Sequence, residues 1–294
     1  MTLIVFLLIS LIGGSGAPLI KFTLHFFPPV LLVFLRGLFA AMVMLPFIYN
    51  KLSLKEGKKY LFAANILFAA NWIAFAFGIG KTSIIMAQNI YLPTSLLVAV
   101  LGYFYLKEKL SRYQIYGLIL TLVGLAVFLN SSLKSQDVLS FGSPLGNLLV
   151  FSGLILWSTY TVVSRKISNI YSPQLICFFN FIVTASIALI FVPLELSRTT
   201  FNIDALPARS IFSLASVITF PSILFFFLYQ WLVKNTSAFI SSLVLYPVTI
   251  LAGASAIIFF GEKLTPTFIL GSLFIFAGVF LATSWQYAKK YIKY

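Results

Sequence analysis

Ten apolar runs of roughly 20 residues, separated by short polar stretches, constrain this chain more than any single motif in it. A helix of that length, rising ~1.5 Å per residue, crosses the ~30 Å hydrocarbon core of a bilayer. In that layer every backbone N–H and C=O must be satisfied inside the protein, and an α-helix does this within one segment. The alternating ~10-residue strands of an outer-membrane barrel are absent. Of 294 residues, 61% are hydrophobic and 9% charged, against about 25% charged in a soluble domain. Such a chain cannot cover itself with polar surface, so the expected fold class is an all-α integral membrane protein.

The spans are predicted at 2–20, 29–49, 59–79, 84–106, 112–130, 145–165, 173–193, 209–232, 238–260 and 265–286. Pro28-Pro29 and Ser172-Pro173 open the second and seventh, where proline costs little because its missing N–H would be unpaired anyway. The first run has no basic stretch before it and no cleavage site leading to a soluble domain. It is therefore read as a span and not as a removed signal peptide.

The runs also repeat. Glu108-Lys109-Leu110 recurs as Glu262-Lys263-Leu264, 154 positions later, and the same offset pairs Thr82-Ser83 with Thr236-Ser237, Pro93 with Pro247, Gly117 with Gly271 and Gly124 with Gly278. Upstream the offset is 144, pairing Lys21 with Arg165 and Pro29 with Pro173. Ten extra residues in the polar stretch Glu195–Arg209 reconcile the two registers. Each copy, residues 1–133 and 144–287, holds five predicted spans. An odd number forces the copies into opposite orientations. The expected architecture is ten transmembrane helices as two inverted five-helix repeats, an arrangement of secondary transporters with a substrate site near the midplane.

A net charge of +14 invites a nucleic-acid partner, but the basic residues sit in short loops between apolar runs, which is the positive-inside pattern. With the N-terminus in the cytoplasm, thirteen Lys and Arg lie in cytoplasmic loops and tails and six lie opposite, with Arg36 left inside the layer. Both termini are therefore expected in the cytoplasm, in the inner or plasma membrane of the cell, with the lipid bilayer and a small-molecule substrate as partners and no nucleic acid. A single chain is expected to suffice for transport, and oligomeric state stays open.

Polar side chains inside spans are costly unless they face protein or water, so they mark candidate function. The first span carries Gly13-Gly14-Ser15-Gly16-Ala17-Pro18, which weakens the helix and lets other groups approach its backbone. Its copy in the sixth span carries Trp157, Tyr160 and Thr161; helical spacing puts Trp157, Thr161 and Ser164 on one face. The fourth span holds Gln88, Asn89, Tyr91, Pro93 and Ser95, and the ninth Ser242, Tyr246, Pro247 and Thr249. Each proline frees a carbonyl one turn earlier that needs another partner. The third span adds Asn65, Asn71 and Trp72, the eighth Tyr229, Gln230 and Trp231. Ser and Thr also serve as contacts between helices, and Tyr229 and Trp231 also suit an interfacial aromatic belt.

Arg36 is the one basic residue deep in a span, where an Arg costs roughly 2.5–3.5 kcal/mol. It reads either as a snorkelling or structural residue or as a counter-ion for a substrate carboxylate, and its repeat partner is Asn180. The candidate substrate-binding set is Ser15, Arg36, Asn65, Trp72, Gln88, Asn89, Tyr91, Trp157, Tyr160, Thr161, Tyr229, Ser242 and Tyr246. No catalytic residue, metal site or cofactor is expected. His25 falls in a predicted loop, Cys177 is alone in an apolar run, and no acidic residue sits at mid-span. That argues against an intramembrane enzyme and against a proton relay or sodium cage built from carboxylates. Glu108 and Glu262 each precede a Lys and a capping Ser111 or Thr265, and are expected to shape the corners after the fourth and ninth spans.

These residues resemble the EamA-like branch of the drug/metabolite transporter superfamily. Gly13-Gly14-Ser15-Gly16-Ala17 ending at Lys21 looks like the family's first-helix Trp-Gly-Ser-x-Phe pattern with its later Lys, departing at Gly13 and Ala17. Trp157-Ser158-Thr159-Tyr160-Thr161 through Arg165-Lys166 is similar to its second copy. Arg36 falls on the family's second-helix Arg. Pro93 with Lys107-Glu108 and Pro247 with Gly261-Glu262 resemble the Pro-then-Gly-Glu pattern, Lys107 standing where Gly is usual. The resemblance implies a ten-helix carrier of small metabolites, often an exporter of amino acids. It implies a cavity between helices 1, 3, 4, 6, 8 and 9, with helices 5 and 10 as scaffold. The glycine pairs Gly117/Gly124 and Gly271/Gly278 fit close packing of those two. The expectation is a secondary transporter working by alternating access on an amino acid or related compound, with export favoured over uptake. The alternatives are another solute class, such as a nucleotide-linked or sugar-like metabolite, or a channel or intramembrane enzyme.

Overall fold

A computed structural model describes residues 2–48, 56–107, 111–134, 141–263 and 266–291. Among them every regular element is helical. Eight helical runs are long and apolar enough to cross a membrane: Ile4–Thr23, Pro29–Ile48, Lys58–Ile79, Ile84–Leu106, Pro144–Ile167, Pro173–Leu196, Ala208–Asn235 and Ala238–Phe260. The surface is inverted relative to a soluble protein. Phe104, Ile190, Phe212 and Phe259 point outward, while Arg36, Asn65, Asn71, Gln88, Asn147, Asn180 and Gln230 are buried. A hydrocarbon solvent selects that distribution, because only polar groups require shelter in it.

Four of the eight runs are interrupted. The first divides into α1 (Thr2–Gly14) and α2 (Gly16–Thr23). It is followed by α3 (Pro29–Ile48) and α4 (Lys58–Ile79). The next run divides into α5 (Ile84–Tyr91) and α6 (Thr94–Leu106). Then come α7 (Arg112–Lys134), α8 (Pro144–Ile167) and α9 (Pro173–Leu196). The run that follows is α10 (Ala208–Val217), a π-helical turn at Ile218–Leu224 and α11 (Phe225–Asn235). The last interrupted run is α12 (Ala238–Ser242) with α13 (Leu245–Phe260), and α14 (Pro266–Tyr291) ends the described chain.

Local chemistry explains the starts and the breaks. Ser83, Ser143, Ser172 and Ser237 each cap a helix by accepting from the N–H three residues on. Pro93 has no N–H for the carbonyl of Asn89, and the N–H of Leu92 donates to it at 3.2 Å instead. Pro247 repeats the device: it deprives the carbonyl of Leu243, which accepts from the N–H of Tyr246 at 3.2 Å. Ser111 and Gln114 form a reciprocal capping box at the start of α7. Glu108 and Thr265 lie outside the described residues.

Three pairs of helices lie along each other, α3 with α9, α4 with α8 and α7 with α14. In the last pair a Cβ on Gly124 would stand 2.6 Å from the carbonyl oxygen of Gly271, and one on Gly278 would stand 2.5 Å from that of Gly117. Backbones this close admit only glycine at those crossings.

One corner departs from expectation. Glu262 was expected to shape the turn after the ninth span. Gly261, in the left-handed region at φ 63°, ends α13 and turns the chain back. The Glu262 carboxylate then reaches across to α5, accepting from the N–H of Ile84 at 2.7 Å and of Ile85 at 2.9 Å, and pairs with Lys21 Nζ at 3.1 Å. Glu195 treats α3 the same way, accepting from the N–H of Val30 and Leu31, both at 2.9 Å. Carboxylates on unpaired N–H groups at the positive end of a helix make charge-assisted bonds.

Candidate functional site

A cavity lies among α1, α2, α3, α4, α5, α8, the π-helical turn, α11 and α13. Its polar lining is Arg36, Asn71, Gln88, Tyr91 and the indole of Trp157; its apolar walls include Trp72, Phe75, Phe225, Phe226, Leu245 and Val248. Gly13, Gly16 and Ala17 present the broken first span to it almost as bare backbone. A Cβ on Gly13 would meet Phe225 and Val248 at 2.7 Å. Among the described residues α7 and α14 contribute nothing to the wall.

Arg36 is held by a chain of hydrogen bonds that begins with a proline. Pro221 in the π-helical turn has no N–H, which leaves the carbonyl of Val217 to Ser222 Oγ at 2.8 Å. That hydroxyl can then accept from Arg36 Nε at 3.1 Å. The guanidinium lies over the Trp72 ring, 4.0 Å from its centroid, a cation–π contact in a desolvated place. Among the described residues the one ion pair is Lys21–Glu262, so Arg36 has no carboxylate partner there. Trp157 Nε1 is also buried without a hydrogen-bond partner. An unpaired buried donor ordinarily costs about 1–3 kcal/mol, and both residues line the cavity.

Asn71 Nδ2 donates to Tyr91 OH at 2.8 Å and to the carbonyl of Gly153 at 2.9 Å, tying α4 to α5 and α8. A Cβ at Gly153 would stand 2.6 Å from Tyr91 OH, so the glycine is what admits the phenol.

One to two turns beyond Trp157 along α8, toward Arg165, the bundle is closed by a polar network. Asn180 Nδ2 and Gln230 Nε2 both donate to Tyr160 OH at 2.5 Å. Ser164 Oγ donates to Gln230 Oε1 at 2.8 Å, and the Thr161 and Tyr229 hydroxyls bond at 3.1 Å. Arg165 Nη1 donates to the carbonyls of Val233 and Lys234, both at 2.9 Å. Above the network Trp157 packs on Tyr160, Tyr229 and Phe226, with centroids 5.2, 5.0 and 5.7 Å apart.

Of the thirteen candidate residues, Arg36, Trp72, Gln88, Tyr91 and Trp157 share the cavity wall. Tyr160, Thr161 and Tyr229 sit in the network below it. Tyr246 bonds the Ser95 hydroxyl between α13 and α6. Asn89 donates to the carbonyl of Ile85 and accepts from Ser272 of α14. Ser15 and Ser242 donate to carbonyls of their own helical turns. Asn65 is buried, its Oδ1 without a partner among the described residues. Asn71, Pro221 and Ser222 were not in the candidate set. A proline followed by a hydroxyl residue inside an apolar run was the available signal for the last two.

The model of the EamA-like transporter family matches residues 1–130 and 144–284. The chain belongs to the EamA-like transporter family. Among EamA-like relatives, the "Probable amino-acid metabolite efflux pump" of Salmonella typhimurium strain LT2 is 26% identical over 291 residues, covering 94% of this chain and 92% of the relative. An "Uncharacterized transporter" of Clostridium kluyveri is 25% identical over 259 residues, covering 86% of this chain and 81% of the relative. A solved structure titled "Crystal structure of protein" shares the fold, with TM-score 0.68 and 15% identity over 96% of each chain. With eight apolar helical runs, this EamA-like protein is a multi-pass membrane protein of a transporter family.

Proposed function

We propose that this protein is a secondary transporter that carries an amino acid or related small metabolite across the cell membrane by alternating access, in the direction of export. The observation that carries the reading is the cavity among interrupted helices: α1/α2, α5/α6, the π-turn run and α12/α13 all break beside it. Discontinuous spans meeting near mid-layer are how transporters bring backbone groups to a substrate. The Salmonella relative's name supports the amino-acid class and the efflux direction.

The same reading takes α7 and α14 as the fifth and tenth spans, making two inverted five-helix repeats over 1–133 and 144–287. The repeated Pro93 and Pro247 devices and the repeated Ser83 and Ser237 caps support it. The reading takes both termini and the Arg165 end as cytoplasmic and the Glu262 end as outside, which the charge asymmetry supports. Arg36, Trp72, Gln88, Tyr91 and Trp157 then form the substrate site of an outward-directed state. Tyr160, Thr161, Tyr229 and Tyr246 belong to the closure on the cytoplasmic side. Ser15, Asn65, Asn89 and Ser242 shape the surrounding helices. On this reading the protein is a carrier and not an enzyme, and it works without cofactor or metal.

Purified protein in liposomes, loaded in turn with a panel of labelled amino acids, tests this. Saturable efflux of at least one is the expected result. No flux of any amino acid sinks the substrate class.

A further inference from the structure

We infer that the cavity recognises the carboxylate of its ligand and does not recognise an ammonium group, so that its ligands are organic monocarboxylates with an apolar body, whether or not they carry an amine. This rests on the transporter reading above and narrows its substrate class.

Three observations carry it. First, the wall holds a guanidinium without a carboxylate partner among the described residues. Ser222 takes only Nε of Arg36, and neither Nη has an acceptor there. Trp157 lines the same cavity, and its indole N–H is likewise unpaired among the described residues. The two donors are linked through aromatic contacts, Phe226 lying against both Trp72 and Trp157 at 5.4 and 5.7 Å. A carboxylate accepts from Arg in a two-pronged geometry and has lone pairs left for an indole N–H.

Second, among the described residues the lining includes no Asp or Glu. Glu262 and Glu195 are committed to helix starts. The Trp72 face, a natural seat for an ammonium, is already covered by Arg36. A ligand amine therefore has only neutral acceptors such as Gln88 to meet.

Third, the uncompensated charge is single. Lys21, next to the cavity-lining Ile20, is engaged by Glu262 and by the carbonyl of Thr82 at 2.8 Å. One guanidinium matches a monoanion; a phosphate monoester brings close to two negative charges. The remaining wall is mostly aromatic and aliphatic, which favours an apolar body.

The test is ligand binding to the purified full chain in nanodiscs, read by tryptophan fluorescence and thermal shift. The probes are L-phenylalanine, 3-phenylpropionate, 3-phenylpropionamide, phenethylamine and phenyl phosphate. The acid with and without the amine should bind within about threefold of each other. The amide, the amine and the phosphate should be at least about tenfold weaker, the scale set by losing a charge-assisted hydrogen bond. Trp157→Phe keeps a ring and removes one donor, and should weaken the two carboxylates while leaving the amine unchanged. Arg36→Met should erase the preference of acid over amide. Should that variant fail to fold, the five-probe ranking on the native chain stands as the test. Amide or amine binding as tightly as the acid overturns the inference, and phenyl phosphate binding more tightly overturns the monocarboxylate class. Transport of a solute lacking a carboxylate also defeats it while the transporter reading stands. Carboxylate binding without any flux in liposomes leaves the recognition intact and defeats the transporter reading.

Discussion

Two residues carry costs that point to different uses. Lys107 is the one non-glycine residue with positive φ among those described, at 56°. Its repeat counterpart Gly261 adopts φ 63° at the same helix end. The left-handed region strains an L side chain and leaves glycine unstrained. Lys107→Gly should therefore raise stability by about 0.5–1 kcal/mol, read as a higher thermal midpoint in detergent; an unchanged or lower midpoint contradicts the assignment. Trp157 leaves its indole N–H unpaired beside a cavity, which suits a ligand better than a core. Trp157→Ala and Gln88→Ala should each cut transport at least about tenfold, equivalent to ~1.4 kcal/mol. Cys177→Ala, buried away from that wall, and His25→Ala, in an exposed turn, should cut it far less at equal expression. Equal activity in all four variants contradicts the cavity assignment.

Between elements, Glu262 and Glu195 satisfy N–H groups at the starts of α5 and α3, and Ser222 takes the carbonyl that Pro221 leaves open. Glu262 is the clearest, since one carboxylate satisfies two N–H groups of α5 and pairs with Lys21 of α2. Glu262→Ala takes the carboxylate from Lys21, which keeps the carbonyl of Thr82, leaves two N–H groups unmatched, and should cost on the order of 3 kcal/mol. Glu262→Gln, which keeps one acceptor oxygen, should cost less. Thermal unfolding of the two variants side by side measures this, and equal melting of Ala, Gln and native chains refutes it.

Much at this scale was legible in the sequence. Pro29, Ser111 and Ser172-Pro173 marked helix starts because capping chemistry is local; the caps at Ser83 and Ser237 were met only as a repeated pair. The π-helical turn was not legible: Pro221 announces only that Val217 loses a partner, and whether the helix kinks, breaks or widens depends on Ser222 and Arg36, 186 positions apart in sequence. The candidate site was half legible for a similar reason. Helical spacing put Trp157 and Thr161 on one face, yet α8 turns that face first to the cavity and then, a turn later, to Tyr229. Periodicity gives a face; only packing decides which part of it meets empty space. The long reach of Glu262 was hidden because it depends on α5 lying beside the end of α13.

Across the whole molecule the asymmetry between the two ends matters most. Toward Arg165 the bundle is closed by Tyr160, Thr161, Ser164, Asn180, Tyr229 and Gln230, all fully buried. Toward Glu262 lies the cavity with Arg36. On the proposed carrier reading, rocking of one repeat against the other exchanges these conditions around a fixed site, so exchange of substrate between the two sides is the behaviour that separates a carrier from a channel. Counterflow in proteoliposomes measures it: labelled L-phenylalanine outside, unlabelled L-phenylalanine inside or absent. A carrier gives saturable uptake that is accelerated by substrate on the far side and lost with Trp157→Ala. Flux that never saturates and ignores substrate on the far side contradicts it.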